Sequence, residues 1–141
     1  MKGLNWLYLT LIGVALLLMA DGGVGGSSPI PDVGTRVLIT YNEPTRDQLP
    51  QAQKDILVSR EIRDRLDAIC VKNSAGDPEY RIVPATARFG TDQPIWQRMM
   101  AVPRAKPEWL VVADGRRGVS TELPPDETAL LKVLAPFGGG K

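Results

Sequence analysis

Leu4 to Ala20 is an almost unbroken run of seventeen apolar residues behind a single Lys2. A segment that is apolar on every face has no side to turn to water, so it does not read as an amphipathic surface helix. At an N-terminus it reads as a membrane-targeting device, either a retained signal anchor or a cleaved signal peptide. A spanning helix needs about 20 apolar residues and accepts roughly 17, whereas the apolar part of a signal peptide seldom exceeds about 15. Length favours the anchor. Cleavage stays open, because Ala20-Asp21-Gly22 and Gly23-Val24-Gly25 each set small residues two apart. No cysteine lies near this boundary, which excludes a lipid-modified lipoprotein. Trp6 and Tyr8 suit an interfacial belt, and Lys2 before the run against Asp21 after it places the N-terminus in the cytoplasm. Residues 1–20 therefore predict a single-pass membrane protein with its C-terminal domain extracytoplasmic, the alternative being a secreted or periplasmic product.

Residues 21–35 (DGGVGGSSPIPDVGT) read as a flexible Gly/Ser/Pro linker, and Gly138 to Lys141 as a frayed tail. Between them lie about 100 residues, enough for one domain. Lys and Arg number 17 against 16 Asp and Glu, without a long run of either sign, so nothing recommends nucleic acid as a partner. The chain has no histidine and one cysteine, Cys70. Those two facts remove an intrachain disulfide, Ser-His and Cys-His catalytic pairs, and histidine-based zinc sites. No cofactor or metal is expected. A domain without disulfides must be held by its apolar core.

Arg36 to Tyr41 (RVLITY) reads as a strand, with consecutive Val37, Leu38 and Ile39 as in a strand covered on both faces. Asn42 to Thr45 is a turn. Leu49, Ile56 and Leu57 form one helical stripe and Ile62, Leu66 and Ile69 another, with a break expected near Val58-Ser59 where Ser59 can cap a new helix. Ala68 to Lys72 (AICVK) is expected to be the second strand, and Tyr80 to Val83 an extension or edge ribbon. Asp92 and Pro94 open a short helix with Trp96, Met99 and Met100 on its core side. Glu108 to Ala113 (EWLVVA) is the most strand-like stretch; residues 114–118 (DGRRG) signal a hairpin, so Val119 to Leu123 returns antiparallel. Pro124-Pro125-Asp126 starts a last helix carrying Ala129, Leu130, Val133 and Leu134, which Pro136 ends.

The order β-α-β-α-β-β-α, together with Lys106-Pro107 directly before the third strand, resembles the thioredoxin-like superfamily. The resemblance covers about residues 36–137 and implies an α/β three-layer sandwich behind the N-terminal hydrophobic helix. It also implies a cis proline facing the site, at Pro107. Redox-active members carry Cys-x-x-Cys after the first strand, where a helix N-terminus lowers the thiol pKa. The corresponding stretch here, Tyr41 to Asp47, has no cysteine. Disulfide exchange through that turn is ruled out.

Other constellations read as structure. Cys70 sits among apolar neighbours as a buried thiol. Asp126 and Glu127 complement a helix dipole, and Asp64 and Asp67 belong to a solvated face with Arg60, Arg63 and Arg65. Arg116 and Arg117 are expected to project together from a hairpin tip. The leading reading is a membrane-tethered, redox-inactive, non-catalytic module that binds an unknown protein partner. Its docking residues would be Asn42, Glu43, Pro44, Thr45, Lys106 and Pro107, because in the relatives that surface receives extended peptide. The alternatives are a structural component of an envelope or viral particle assembly, and an enzyme using the Cys70 thiol.

Overall fold

The computed structural model describes residues 26–138. The apolar run and the first five linker residues, like the last three of the chain, lie outside the described residues. Within them the protein is a mixed α/β unit in three layers. Strands β1 (Gly26–Ser27), β2 (Arg36–Tyr41), β3 (Tyr80–Pro84), β4 (Trp109–Ala113) and β5 (Arg117–Glu122) form one sheet in the order β1-β5-β4-β2-β3. β2 and β3 run parallel, while β4 lies antiparallel between β2 and β5. Helices α1 (Gln51–Val58), α2 (Arg60–Ile69), α3 (Pro94–Met100) and α4 (Glu127–Leu134) cover it, with 3-10 turns at Glu43–Gln48 and Ala135–Phe137.

The consecutive apolars of β2 serve both faces because successive side chains in a strand point to opposite sides. Val37, Ile39 and Tyr41 join Leu110, Val112 and the apolar faces of α1, α2 and α4 in one core. Leu38 joins Val111, Ala113, Trp96 and Met99 in the other, where Ile30 also packs. Every one of these residues is buried, which is what a central strand covered on both faces requires.

Helix boundaries follow local chemistry. The Ser59 side chain accepts from the Ile62 amide at 3.1 Å, capping α2 and making the break from α1 that the sequence predicts. Asp126 caps α4 by accepting from the Ala129 amide at 2.8 Å. Asp92, expected to cap α3, does not; Gln93 holds that position without a side-chain bond, and Pro94 in the first turn starts the helix.

Two expectations fail. The Ala68 to Lys72 segment is not the second strand: the Ile62, Leu66 and Ile69 stripe carries α2 through Ile69, and the Cys70 amide closes it on the Leu66 carbonyl. Helical periodicity outweighs the strand propensity of this five-residue segment because it buries one whole face of α2. The second strand is β3, and Lys72 makes only an isolated bridge to Pro78. Likewise, residues 26–35 are folded rather than linker. Gly26 and Ser27 pair with Gly118 and Arg117, Ile30 is fully buried, and the buried Thr35 hydroxyl donates to the Phe137 carbonyl at 3.1 Å. Gly118 makes this possible, since a side chain there would meet Pro29 and the Val112 carbonyl.

The free edge of β3 is blunted. Val37 donates to Glu79, and Ala85 donates to Tyr41, so the backbone groups of alternate residues 80, 82 and 84 face outward. Of these, Pro84 has no N–H, the Tyr80 amide turns to its own Pro78, and the Arg81 guanidinium covers the Tyr80 carbonyl.

At the β4–β5 turn Asp114 accepts from the amides of Arg116 and Arg117 at 2.9 and 2.8 Å. Burial pushes its carboxyl up, but these two amides and the Arg117 guanidinium outweigh it and hold it below the usual value. Arg117 folds back rather than projecting: it pairs with Asp114, stacks over Phe137 and donates to the Pro136 carbonyl. Arg116 alone stays exposed.

A depressed acid stabilises the fold above its unfolded pKa, and that contribution fades as pH falls through the folded one. Asp114→Asn should therefore be destabilising in urea unfolding at neutral pH and should cease to be so in acid below the ordinary aspartate range. Asp126→Ala should cost about 1 kcal/mol, against roughly 3 kcal/mol for the fully buried Leu130→Ala.

Candidate functional site

β2 ends at Tyr41, where the parallel pair β2–β3 opens and ligands of open α/β sheets usually sit. Asn42 then starts the 3-10 turn; its side-chain amide donates to the Thr45 hydroxyl at 2.9 Å, and the Thr45 amide returns to the Asn42 carbonyl at 3.2 Å. This closed loop leaves Glu43 and Pro44 exposed at its crest. From the other side, Thr40 pairs in register with Trp109, so extending that register by two brings Asn42 level with Pro107. The buried Thr40 hydroxyl ties the two segments by donating to the Pro107 carbonyl at 2.7 Å. The six residues predicted as a docking surface thus fall at one end of the sheet, on the two segments that Thr40 links.

Lys106 is exposed and pairs with Glu122 of β5 at 3.4 Å, a surface contact of little energetic weight. No peptide bond among the described residues is cis, so Pro107 is trans, and the cis proline that the resemblance implies is not met.

Sequence reasoning missed three groups here. Tyr41 is buried beneath the turn with the Arg46 guanidinium over its ring, 5.3 Å from the centroid. Burial, then the neighbouring Glu43 carboxylate, pushes its hydroxyl up, while Arg46 pulls the other way. Glu108, next to Pro107, has a buried Oε2 without a hydrogen-bond partner among the described residues. A buried carboxylate oxygen left unpaired is costly and calls for a donor. Nothing in the sequence around Glu108 marks it, because its isolation comes from packing. Beside the turn, Glu43, Arg46, Asp47, Lys54, Asp55 and Val58 line an open depression of about 300 Å³.

No group of three or more acidic or cysteine side chains placed to hold a metal occurs among the described residues. Cys70 lies at the C-terminus of α2, buried in the core formed with α1 and α4. Burial first, then Asp67 and Glu79, pushes its thiol up to about 12. Among the described residues, no helix is long and apolar enough to cross a membrane.

Compared with family models, with curated proteins and with solved structures, the chain matches none.

A thiol so raised is almost wholly protonated at neutral pH, and the thiolate is the nucleophile. Iodoacetamide at pH 8 should alkylate Cys70 roughly a thousandfold more slowly than a free cysteine, and the rate should recover in urea in step with unfolding. Rapid labelling of the native protein would restore the thiol as a candidate reactive group.

Proposed function

We propose that this chain is a membrane-tethered, non-catalytic thioredoxin-like module that binds another protein on the outer side of the membrane. Its docking surface comprises Asn42, Glu43, Pro44, Thr45, Lys106 and Pro107. The observation that carries this reading is the convergence of an exposed turn crest with an exposed proline at the open end of the parallel strands.

The strand order, with a parallel first pair and an antiparallel hairpin closing the other side, supports the thioredoxin-like assignment. The trans Pro107 is a departure from that family. Without histidine anywhere or cysteine at the turn, the surface has recognition chemistry only: carboxylate, ammonium, amide and hydroxyl groups. Leu4 to Ala20 supplies the tether.

Cross-linking of the full chain in its native membrane tests both halves. Substituting Glu43→Lys together with Pro107→Ala should cut recovery of specific partners roughly tenfold, the effect of losing one well-packed anchor. Arg60→Glu, on the exposed face of α2, should leave recovery unchanged. Equal recovery from all variants would remove the docking surface. A mature N-terminus between Asp21 and Ser27 in the soluble fraction would remove the tether.

A further inference from the structure

The near balance of 17 cations against 16 anions conceals one uneven stretch. Over residues 80–107, Arg81, Arg88, Arg98, Arg104 and Lys106 stand against Asp92 alone. Arg81 is engaged, paired with Glu79 at 3.7 Å and stacked over Trp96. Among the described residues, Arg88, Arg98 and Arg104 meet no carboxylate. Arg88 and Arg98 are exposed, while the half-buried Arg104 donates only to the Ala85 carbonyl and the Met100 sulfur.

Hydrogen bonds bring these three arginines to the docking surface. Ala85, leaving the carboxyl end of β3, donates to the Tyr41 carbonyl at 2.7 Å, so the segment after β3 opens at the same end of the sheet as Asn42 to Thr45. The Ala87 amide then turns the chain back by donating to the Pro84 carbonyl at 2.9 Å. Arg104, three residues before Pro107, reaches this segment at the Ala85 carbonyl, 3.4 Å away. Arg88 and Arg98 flank one further tie, in which the Gln97 side-chain amide donates to the Phe89 carbonyl at 2.9 Å. The cations thus run from Pro107 back along the α3 side of the protein. Asp92 stands apart from them, before the first turn of α3, whereas Arg98 is in its last.

We propose that the partner protein carries an acidic segment, and that this segment lies along Arg104, Arg88 and Arg98. The inference rests on the reading of Asn42 to Thr45 and Pro107 as the docking surface, and names the chemistry of what docks there. All three cations are arginines, whose planar guanidinium holds a carboxylate through two parallel N–H groups. A lipid surface fits less well, because it calls for an exposed apolar side chain to insert. The exposed large apolar residues, Val33 and Val58, lie outside this stretch, while Phe89, Ile95, Met100 and Val102 are half-buried. Single-stranded nucleic acid calls for an aromatic face on which bases stack, and Trp96 is buried beneath Arg81.

The test uses the full chain in a neutral detergent, with a fluorescein-labelled decapeptide carrying Glu at alternate positions as the probe and its Gln counterpart as reference. By anisotropy the Glu peptide should bind about tenfold more tightly than the Gln peptide, and the difference should shrink as salt rises from about 0.05 to 0.5 M. Arg88→Glu with Arg98→Glu should weaken the Glu peptide roughly tenfold, while Arg60→Glu on the exposed face of α2 leaves it unchanged. The milder Arg88→Gln with Arg98→Gln should weaken it about threefold, and both double variants should melt with the unsubstituted chain. Equal loss from Arg60→Glu would reduce the binding to overall charge and overturn the proposal. Displacement of the peptide by short-chain phosphatidylglycerol or by oligothymidylate at equal charge would overturn it in favour of lipid or nucleic acid. Cross-linking in the native membrane separates this inference from the reading beneath it. Arg88→Glu with Arg98→Glu should cut partner recovery as Glu43→Lys with Pro107→Ala does. Loss with the second pair alone would overturn the acidic segment and leave the docking surface standing, and loss with neither would remove both.

Discussion

The antiparallel pairing of β2 with β4 is the contact on which the rest of the protein depends. Val37, Leu38 and Ile39 lie opposite Val112, Val111 and Leu110, and all six are buried. Because alternate residues face opposite sides, this one register supplies both cores at once. A slip by one residue would exchange the two sets, sending side chains shaped for α3 against α1, α2 and α4. The same register brings Asn42 level with Pro107 at one end, and sets the Asp114 turn beside residues 32–33 at the other. Fold and candidate site are thus consequences of a single strand pair.

Polar groups along this pair are used to lock its ends. The Thr40 hydroxyl, buried in an otherwise apolar strand, finds the Pro107 carbonyl, and Asp114 gathers two backbone amides at the hairpin. Trp109 similarly donates its ring N–H to the Ser120 hydroxyl at 2.7 Å across the hairpin. Each of these bonds satisfies a group that burial would otherwise penalise. Two groups are exceptions among the described residues: the Oε2 of Glu108, beside the proposed docking surface, and the Nε of Arg36 at the start of β2 are buried without a partner. At the β3 edge, Pro84 and the Arg81 side chain leave only the Ile82 backbone groups free, so recognition by strand addition there is disfavoured.

Much of this was legible in the residues. The β-branched run at 36–41, the DGRRG turn, the Ser59 break and the Asp126 start all act through neighbours within a few positions, so sequence alone determined them. The lack of histidine and of a cysteine near Tyr41 likewise needed no structure. The second strand was misread, because Cys70 and Val71 have strand propensity while the competing helical stripe pays off only when α2 packs on the core. The linker was misread for the same kind of reason: Gly26, Gly118 and Ile30 become structural only when strands distant in sequence meet. Arg117 looked free beside Arg116 until Asp114, Pro136 and Phe137 were brought around it. Local chemistry was written in the order of the residues; which groups ended up buried, paired or left exposed was decided by contacts across the sheet, and these depend on a register that no short window of sequence contains.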